Sequence, residues 1–271
     1  ELAEAMSDID SLLEAVERAD GQRPLSDHMW LDLRQGGRPG FAGLLGVQDD
    51  HDHLVAYCQV SGGNESWSLD LVVHPHHRYE MTTIGPQMLR AAINIIQAEG
   101  GGHVHWWVFE PTPTYTGLAA DIGLSPGRTL LQLRVQLPLT QSTEIETCAF
   151  RVGKDEAQWL EVNNRAFADH PEQGHWSTET LASRFATEWF NPEGLLLHHE
   201  HDQLAGFCWT KLHTDTTPHL GEIYVVAVDP SFARRGLGRA LTIAGLQHLS
   251  TEGAPVGMLY VAADNIAALS L

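Results

Sequence analysis

The chain has 271 residues, with 35 acidic against 16 basic side chains and a formal net charge of −19, a balance that argues against a nucleic-acid or anionic-membrane surface. Apolar residues make up 43% of it, enough for a sizeable core, and the length suits two ordinary domains. No apolar run approaches the roughly 18 residues of a membrane span, no basic-then-apolar leader is visible, and Cys58, Cys148 and Cys208 are scattered without a CxxC, which points to a reducing, cytoplasmic setting.

Residues 1–20 space Leu2, Met6, Ile9, Leu13 and Val16 as an amphipathic helix. "LVAYCQV" (54–60) and "SLDLVVHP" (68–75) read as strands, and "GPQMLRAAINIIQAEGG" (85–101) as a helix ending in glycines. "HVHWWVFE" (103–110) is a strand, "TYTGLAADIG" a short helix and "TLLQLRVQLPL" a closing strand. The order then recurs. "EAQWLEVNNRAFADH" (156–170) is a helix, and "LLLHHEHDQLAGFCWTKL" (195–212) a hairpin turning at His201–Asp202. "GEIYVVAVDP" is a strand, "GLGRALTIAGLQHLS" a helix and "GMLYVA" a strand.

Aligning Pro75 with Pro230 superposes "LVVHP" on "VAVDP" and brings "IGPQMLRAAI" near "LGRALTIAGL". The chain therefore reads as an α/β tandem repeat of two mixed-sheet domains, 1–140 and 144–271, with a boundary near Pro138–Thr143. A period of about 150 residues suits two domains rather than a solenoid. The first copy runs on through a helix and a strand after its last central strand, while the second copy is expected to stop inside the matching helix, at Leu271.

"VVAVDPSFARRGLGRALTIAGL" (225–246) carries the chemistry. A strand that turns through Gly236 and Gly238 into a helix leaves main-chain N–H groups unpaired, and glycine lets a ligand approach the backbone. The helix dipole and Arg234, Arg235 and Arg239 add positive charge, which together make a seat for a phosphate or pyrophosphate. From these residues alone an ordinary strand–turn–helix junction remains open.

"ARRGLGRAL" resembles the pyrophosphate loop of the GCN5-related N-acetyltransferases, whose pattern is Q/R-x-x-G-x-G/A. Ala233 stands where that family has Gln or Arg. "GEIYVVAVDP", "HPEQGHW", "FCWTKLH" and "LYVAADNIAALSL" are similar to a tandem branch of the family that acetylates the cysteinyl amine of cysteinyl-glucosaminyl-inositol. The resemblance covers most of residues 145–271 and is looser over 1–140. It implies acetyl-CoA as co-substrate, held by the splayed strand Val226, Ala227 and Val228, by Ala233, Arg234, Arg235, Gly236, Leu237, Gly238 and Arg239, and by Asn265, which is equally suited to cap a helix. It implies Glu222 as general base, with Asp27, Glu172, Lys211, Glu222 and Tyr260 contacting a small thiol-sugar amine, in a protein expected to act as a monomer. A solvated acid at Glu222 and a buried strand aromatic at Tyr260 are the plain alternatives. The family's tyrosine acid would fall just after Leu271.

The first copy has Met81, Thr82 and Thr83 in the places of Arg234, Arg235 and Gly236, and Trp67 in that of Glu222. Leu71, Val72 and Val73 keep the strand that could pair with a pantetheine arm, so a structural or substrate-shaping role is expected of this half. "HPHH" (His74, His76, His77) and "HHEH" (His198, His199, His201) match no paired ligand spacing and read as exposed loop histidines rather than a metal site. Acetylation of another small amine or a peptide N-terminus, or a non-catalytic acyl-CoA-sensing module, are the competing functions.

Overall fold

The computed structural model describes residues 2–36, 40–47, 53–63, 66–168, 173–214, 216 and 218–269. The chain forms two compact units, Glu1–Gly127 and Arg128–Leu271.

In the first unit Ile9, Leu12, Leu13 and Val16 recur at helical spacing and bury the inner face of α1 (Met6–Asp20). α2 (Asp27–Gln35) follows, then β1 (Phe41–Gly46), β2 (Ala56–Gly62) and β3 (Ser66–Val73). A 3-10 turn over Pro75–Glu80 leads straight into α3 (Met81–Ala98), and β4 (His103–Trp106) and α4 (Pro113–Asp121) complete the unit. The sheet order is β1-β2-β3-β4, antiparallel except for the parallel β3/β4 pair. One face carries α1 and α2 over Tyr57 and Val72. The other carries α3 over Cys58, Val60, Leu69, Leu71 and Val73. The two faces alternate along β2 and β3 as the two-residue strand period requires.

The second unit opens with β5 (Leu130–Gln136) and the short β6 (Cys148–Ala149), then α5 (Glu156–Ala166) and α6 (Thr178–Phe185). β7 (Leu195–Glu200) and β8 (Gln203–His213) form the expected hairpin, with His201 and Asp202 both at positive φ, as a two-residue turn demands. β9 (Leu220–Val228), a 3-10 turn at Pro230–Phe232, α7 (Leu237–Thr251), β10 (Val256–Ala262) and α8 (Ile266–Leu269) follow. The six strands lie in the order β5-β10-β9-β8-β7-β6. Trp159 of α5, with Trp176, Phe207 and Trp209, fills an aromatic core on one face. α7 covers Cys208 and Ile223 on the other through Leu241, Leu246 and Leu249.

The division between units falls earlier than the 138–143 boundary read from the repeat. β5 pairs antiparallel with β10 along its whole length, from Leu130↔Ala262 to Gln136↔Val256. Its backbone hydrogen bonds thus assign it to the second unit, although in the order of the repeat it is the closing strand of the first. Leu130, Leu131, Leu133 and Val135 remain partly exposed on this edge strand.

Candidate active site

β9 carries the site. It pairs with parallel β10 only over Leu220↔Val256, Gly221↔Gly257 and Glu222↔Met258, after which the two strands run on without pairing. Opposite, its register with β8 shifts between Trp209↔Val225 and Thr210↔Ile223, so Tyr224 is an extra residue in the ladder. This bulge has a visible effect: Tyr224 and Val225 are neighbours in sequence, yet both pack on the same aromatic core. A bulge raises local twist, and here it sits where β9 parts from β10. The strand beyond Glu222 therefore offers an edge of main-chain donors and acceptors to an extended ligand.

Side chains from three strands meet on the aromatic-core face at this fork. Glu222 lies opposite Lys211 in the β8/β9 register, and both are buried. Its Oε2 stands 2.8 Å from His213 Nε2. Lys211 Nζ lies 4.9 Å from the centroid of the Trp189 ring, a cation–π contact. Tyr260 of β10 accepts a 2.7 Å hydrogen bond on its hydroxyl from Gln132 of β5, and Gln132 in turn accepts from Arg134 Nε at 2.8 Å. Burial raises the Tyr260 phenol above its ordinary pKa, the Glu222 charge adds to the rise, and the Gln132 bond and Arg134 oppose it.

At the far end of β9 a second set of residues shapes the turn. Asp229 accepts from Ser231 N–H at 2.9 Å, from Ser231 Oγ at 2.6 Å and from Arg165 of α5 at 2.5 Å. Burial pushes the Asp229 carboxyl up, but the Ser231 and Arg165 hydrogen bonds outweigh it and the net shift is downward. The turn then passes through two positive-φ residues, Arg234 (63°) and Gly236 (80°), before α7 begins at Leu237. Ala240 N–H closes on Gly236 O, so the N–H groups ahead of it at the helix start point outward. A Cβ built on Gly236 would meet nothing within 4 Å, so none of the described residues crowds this glycine. The cradle and the splayed edge fit the pyrophosphate and the pantetheine arm of acetyl-CoA.

The sequence-predicted residues divide accordingly. Glu222, Lys211 and Tyr260 share one face of the fork. Val226, Ala227 and Val228 form the splayed edge, and Ala233 to Arg239 form the cradle. Two of the loop arginines already have protein partners: Arg235 pairs with Glu200 at 2.8 Å, and Arg239 reaches Gln141 at 3.2 Å. Asn265 caps α8, its Oδ1 accepting from Ala268 N–H at 3.0 Å. Glu172 lies outside the described residues, as does the side chain of Asp27, whose backbone opens α2. His213, Gln132, Arg134 and Trp189 were not singled out from sequence. His213 alone had a signal, two residues beyond Lys211 on the same strand face.

The first unit shows the fork without the chemistry. β3 and β4 pair as far as Leu69↔Trp106 and then part, and Asp70, Leu71, Val72 and Val73 line the cleft between them. Burial pushes the Asp70 carboxyl well above the usual range. The β2/β3 register runs without a bulge. Trp67, in the place of Glu222, donates its indole N–H to Gly101 O at 3.1 Å and packs into the core. The 3-10 turn runs into α3 without a positive φ, so no cradle forms.

The acetyltransferase (GNAT) family model matches residues 157–271. A mycothiol acetyltransferase of Acidimicrobium ferrooxidans is 38% identical over 269 residues, 96% of this chain and 86% of the relative. One of Thermobispora bispora is 40% identical over 269 residues, 96% and 88% of the two chains. Among solved structures, a GCN5-related N-acetyltransferase of Sphaerobacter thermophilus superposes with a TM-score of 0.72 at 24% identity, covering 96% of this chain and 84% of that one. A tandem GNAT protein from the clavulanic acid biosynthesis pathway gives 0.68 at 16% identity, covering 99% and 89%. At these identities the structural likenesses speak for the fold alone: two GNAT-like mixed-sheet domains in tandem.

Proposed function

Because the chain belongs to the mycothiol acetyltransferases of the GNAT family, we propose that its second unit moves the acetyl group of acetyl-CoA onto the cysteinyl amine of cysteinyl-glucosaminyl-inositol, with Glu222 as the base. The observation that carries this reading is the coincidence of three features on β9: the bulge at Tyr224, the end of β10 pairing at Glu222, and a buried carboxylate at that same residue.

The amine arrives as an ammonium and must lose a proton to attack. Glu222 takes that proton, directly or through a water. His213, donating from Nε2, holds Oε2 and leaves Oε1 to face the amine. The free edge of β9 supplies N–H groups to the thioester oxygen, where negative charge develops. The Gly236 cradle seats the pyrophosphate and so fixes the distance of the thioester from Glu222. Lys211 and Tyr260 present a cation and a hydroxyl to the sugar–inositol body.

No helix among the described residues is long and apolar enough to cross a membrane, and three free cysteines suit a reducing cytoplasm. In the first unit the fork at Leu71–Val73 retains an edge for a pantetheine-like arm but neither cradle nor base, so its role is to bind or shape rather than to react. The test is acetyl-CoA consumption by the full chain against a panel of amines: cysteinyl-glucosaminyl-inositol, an aminoglycoside and a peptide N-terminus. Turnover led by the first amine, and lost in Glu222→Gln, supports the reading. A preference for either other amine sinks the substrate assignment, and an active Glu222→Gln sinks the base.

A further inference from the structure

The histidines of "HPHH" are not simply exposed loop residues. His77 is 4% exposed, and His53, which stands outside that run, comes to meet it. The Nε2 atoms of His53 and His77 lie 3.0 Å apart. The ring of His74 lies 4.2 Å, centroid to centroid, from that of His53. One nitrogen from each of the three rings falls within 4.8 Å of the others. Nitrogen ligands at about 2.0–2.1 Å around a tetrahedral ion stand about 3.3–3.4 Å apart, so small ring rotations bring all three to bonding distance.

The surroundings suit a cation. Glu80 Oε1 is 3.6 Å from His77 Nδ1, just beyond hydrogen-bond distance, so a small side-chain shift would let this carboxylate steady a metal-bound imidazole and direct its other nitrogen at the ion. Arg78, beside His77 in sequence, is neutralised by two hydrogen bonds to Asp20 of 2.8 and 2.7 Å. His74 Nδ1 takes the His76 amide at 3.3 Å, a long bond that is cheaply given up. The backbone is already set: His74 N–H bonds to Val55 O at 2.8 Å, which pins the start of β2 to the end of β3. In the second unit Asp229 N–H bonds to Ala205 O in the same way, and there the Asp229 carboxylate and Arg165 tie the turn together. The first unit has an imidazole cluster at the equivalent point.

We propose that His53, His74 and His77 form a binding site for one borderline divalent transition-metal ion, and that the ion clamps the chain entering β2 to the turn leaving β3. Imidazole donors favour Zn2+, Cu2+ or Ni2+ over Mg2+ or Ca2+. The clamp is separate from acetyl transfer and is read without it.

The experiment uses the full chain, stripped with a chelator and dialysed. Zn2+ is titrated by calorimetry and Co2+ by visible absorption, and the zinc-loaded protein is examined by X-ray absorption. One equivalent is expected, with the intense bands of tetrahedral Co2+ and a nitrogen shell containing three imidazoles. His53→Ala and His74→Asn should each weaken binding about 100-fold or more, since even the loss of a supporting contact typically costs about 10–100-fold. Asn retains a turn-capping acceptor at position 74, so the metal-free melting temperature should stay within about 2 °C. His198→Ala, in the other cluster, should leave the affinity unchanged. A folded chain that binds no Zn2+ at millimolar concentration overturns the proposal, because His53 and His77 are then only a hydrogen-bonded imidazole pair. Binding that survives both substitutions, or a shell lacking three imidazoles, overturns it equally, and the X-ray measurement needs no variant to fold.

Discussion

Under the proposed function Gly236 has two separable tasks, and a pair of substitutions separates them. Its φ of 80° lies in the left-handed region, where alanine costs about 1–2 kcal/mol. For a unit of this size that strain amounts to a fall of about 3–7 °C in melting temperature for Gly236→Ala. Asparagine tolerates this region much better, so Gly236→Asn should melt close to wild type. Both variants carry a Cβ, and within the protein that Cβ meets nothing within 4 Å. The object left for it to obstruct is the pyrophosphate. Losing one charge-assisted hydrogen bond from the cradle removes about 1.5–3 kcal/mol, a weakening of about 10- to 150-fold. Calorimetry with acetyl-CoA and thermal melts on the same samples give both quantities. The cradle argument predicts that Asn restores stability and fails to restore affinity. If Asn restores both, the glycine is required for its backbone angle alone, and no ligand approaches its α-carbon.

Glu222→Gln should reduce turnover by about 10²–10⁴-fold while calorimetric acetyl-CoA affinity stays near wild type. His213→Ala, which removes the 2.8 Å partner of Glu222, should cost about 10- to 150-fold in kcat/KM, and nothing further when combined with Glu222→Gln; fully additive losses would show that His213 acts elsewhere. Gly245→Ala drives a Cβ into Cys208 Sγ and to 2.7 Å from Ile223 Cδ1, lifting α7 off the sheet, and should destabilise the second unit by about 1–3 kcal/mol in denaturant melts. Asp229 has its folded pKa held below the unfolded value, so its contribution is complete above about pH 4 and is lost as pH falls through the folded pKa. Asp229→Asn should flatten that acid-side slope, and an unchanged slope would place the acid sensitivity in other carboxylates.

The elements legible in the sequence were those whose period or stop signal is strong. α1 is legible from its apolar spacing, α3 from the glycines that end it, and the β7/β8 turn from His201–Asp202. β1, "FAGLLG", was missed because it has no β-branched residue and two glycines where a strand normally carries side chains. α6 was missed too: only Leu181 of its eight residues is fully buried, so its apolar stripe is thin. α3 begins at Met81 rather than Gly85 because the preceding 3-10 turn feeds directly into it. The fork was legible through resemblance alone. The register shift that helps create it has no local signature in "GEIYVVAVDP", since a bulge is a relation between two strands. The same holds for His213 and His53, whose partners are 9 and 24 residues away in the chain. A run of histidines shows in a sequence; the fourth imidazole that folds back onto it does not.

The pairing of β5 with β10 also sets a timetable. A ribosome delivers the first unit, then the leucine-rich β5, and roughly 120 residues later the strand that receives it. At about 5–20 residues per second, β5 waits about 6–24 s behind an already complete neighbour. During that interval Leu130, Leu131, Leu133 and Val135 have no partner strand, and any other unsatisfied edge is a competitor. Chaperone capture and misassembly should therefore concentrate at nascent-chain lengths at which Val256–Ala262 has not yet left the ribosomal exit tunnel, and ribosome-bound chains stalled before and after the emergence of that strand should differ sharply in protease resistance at 130–136.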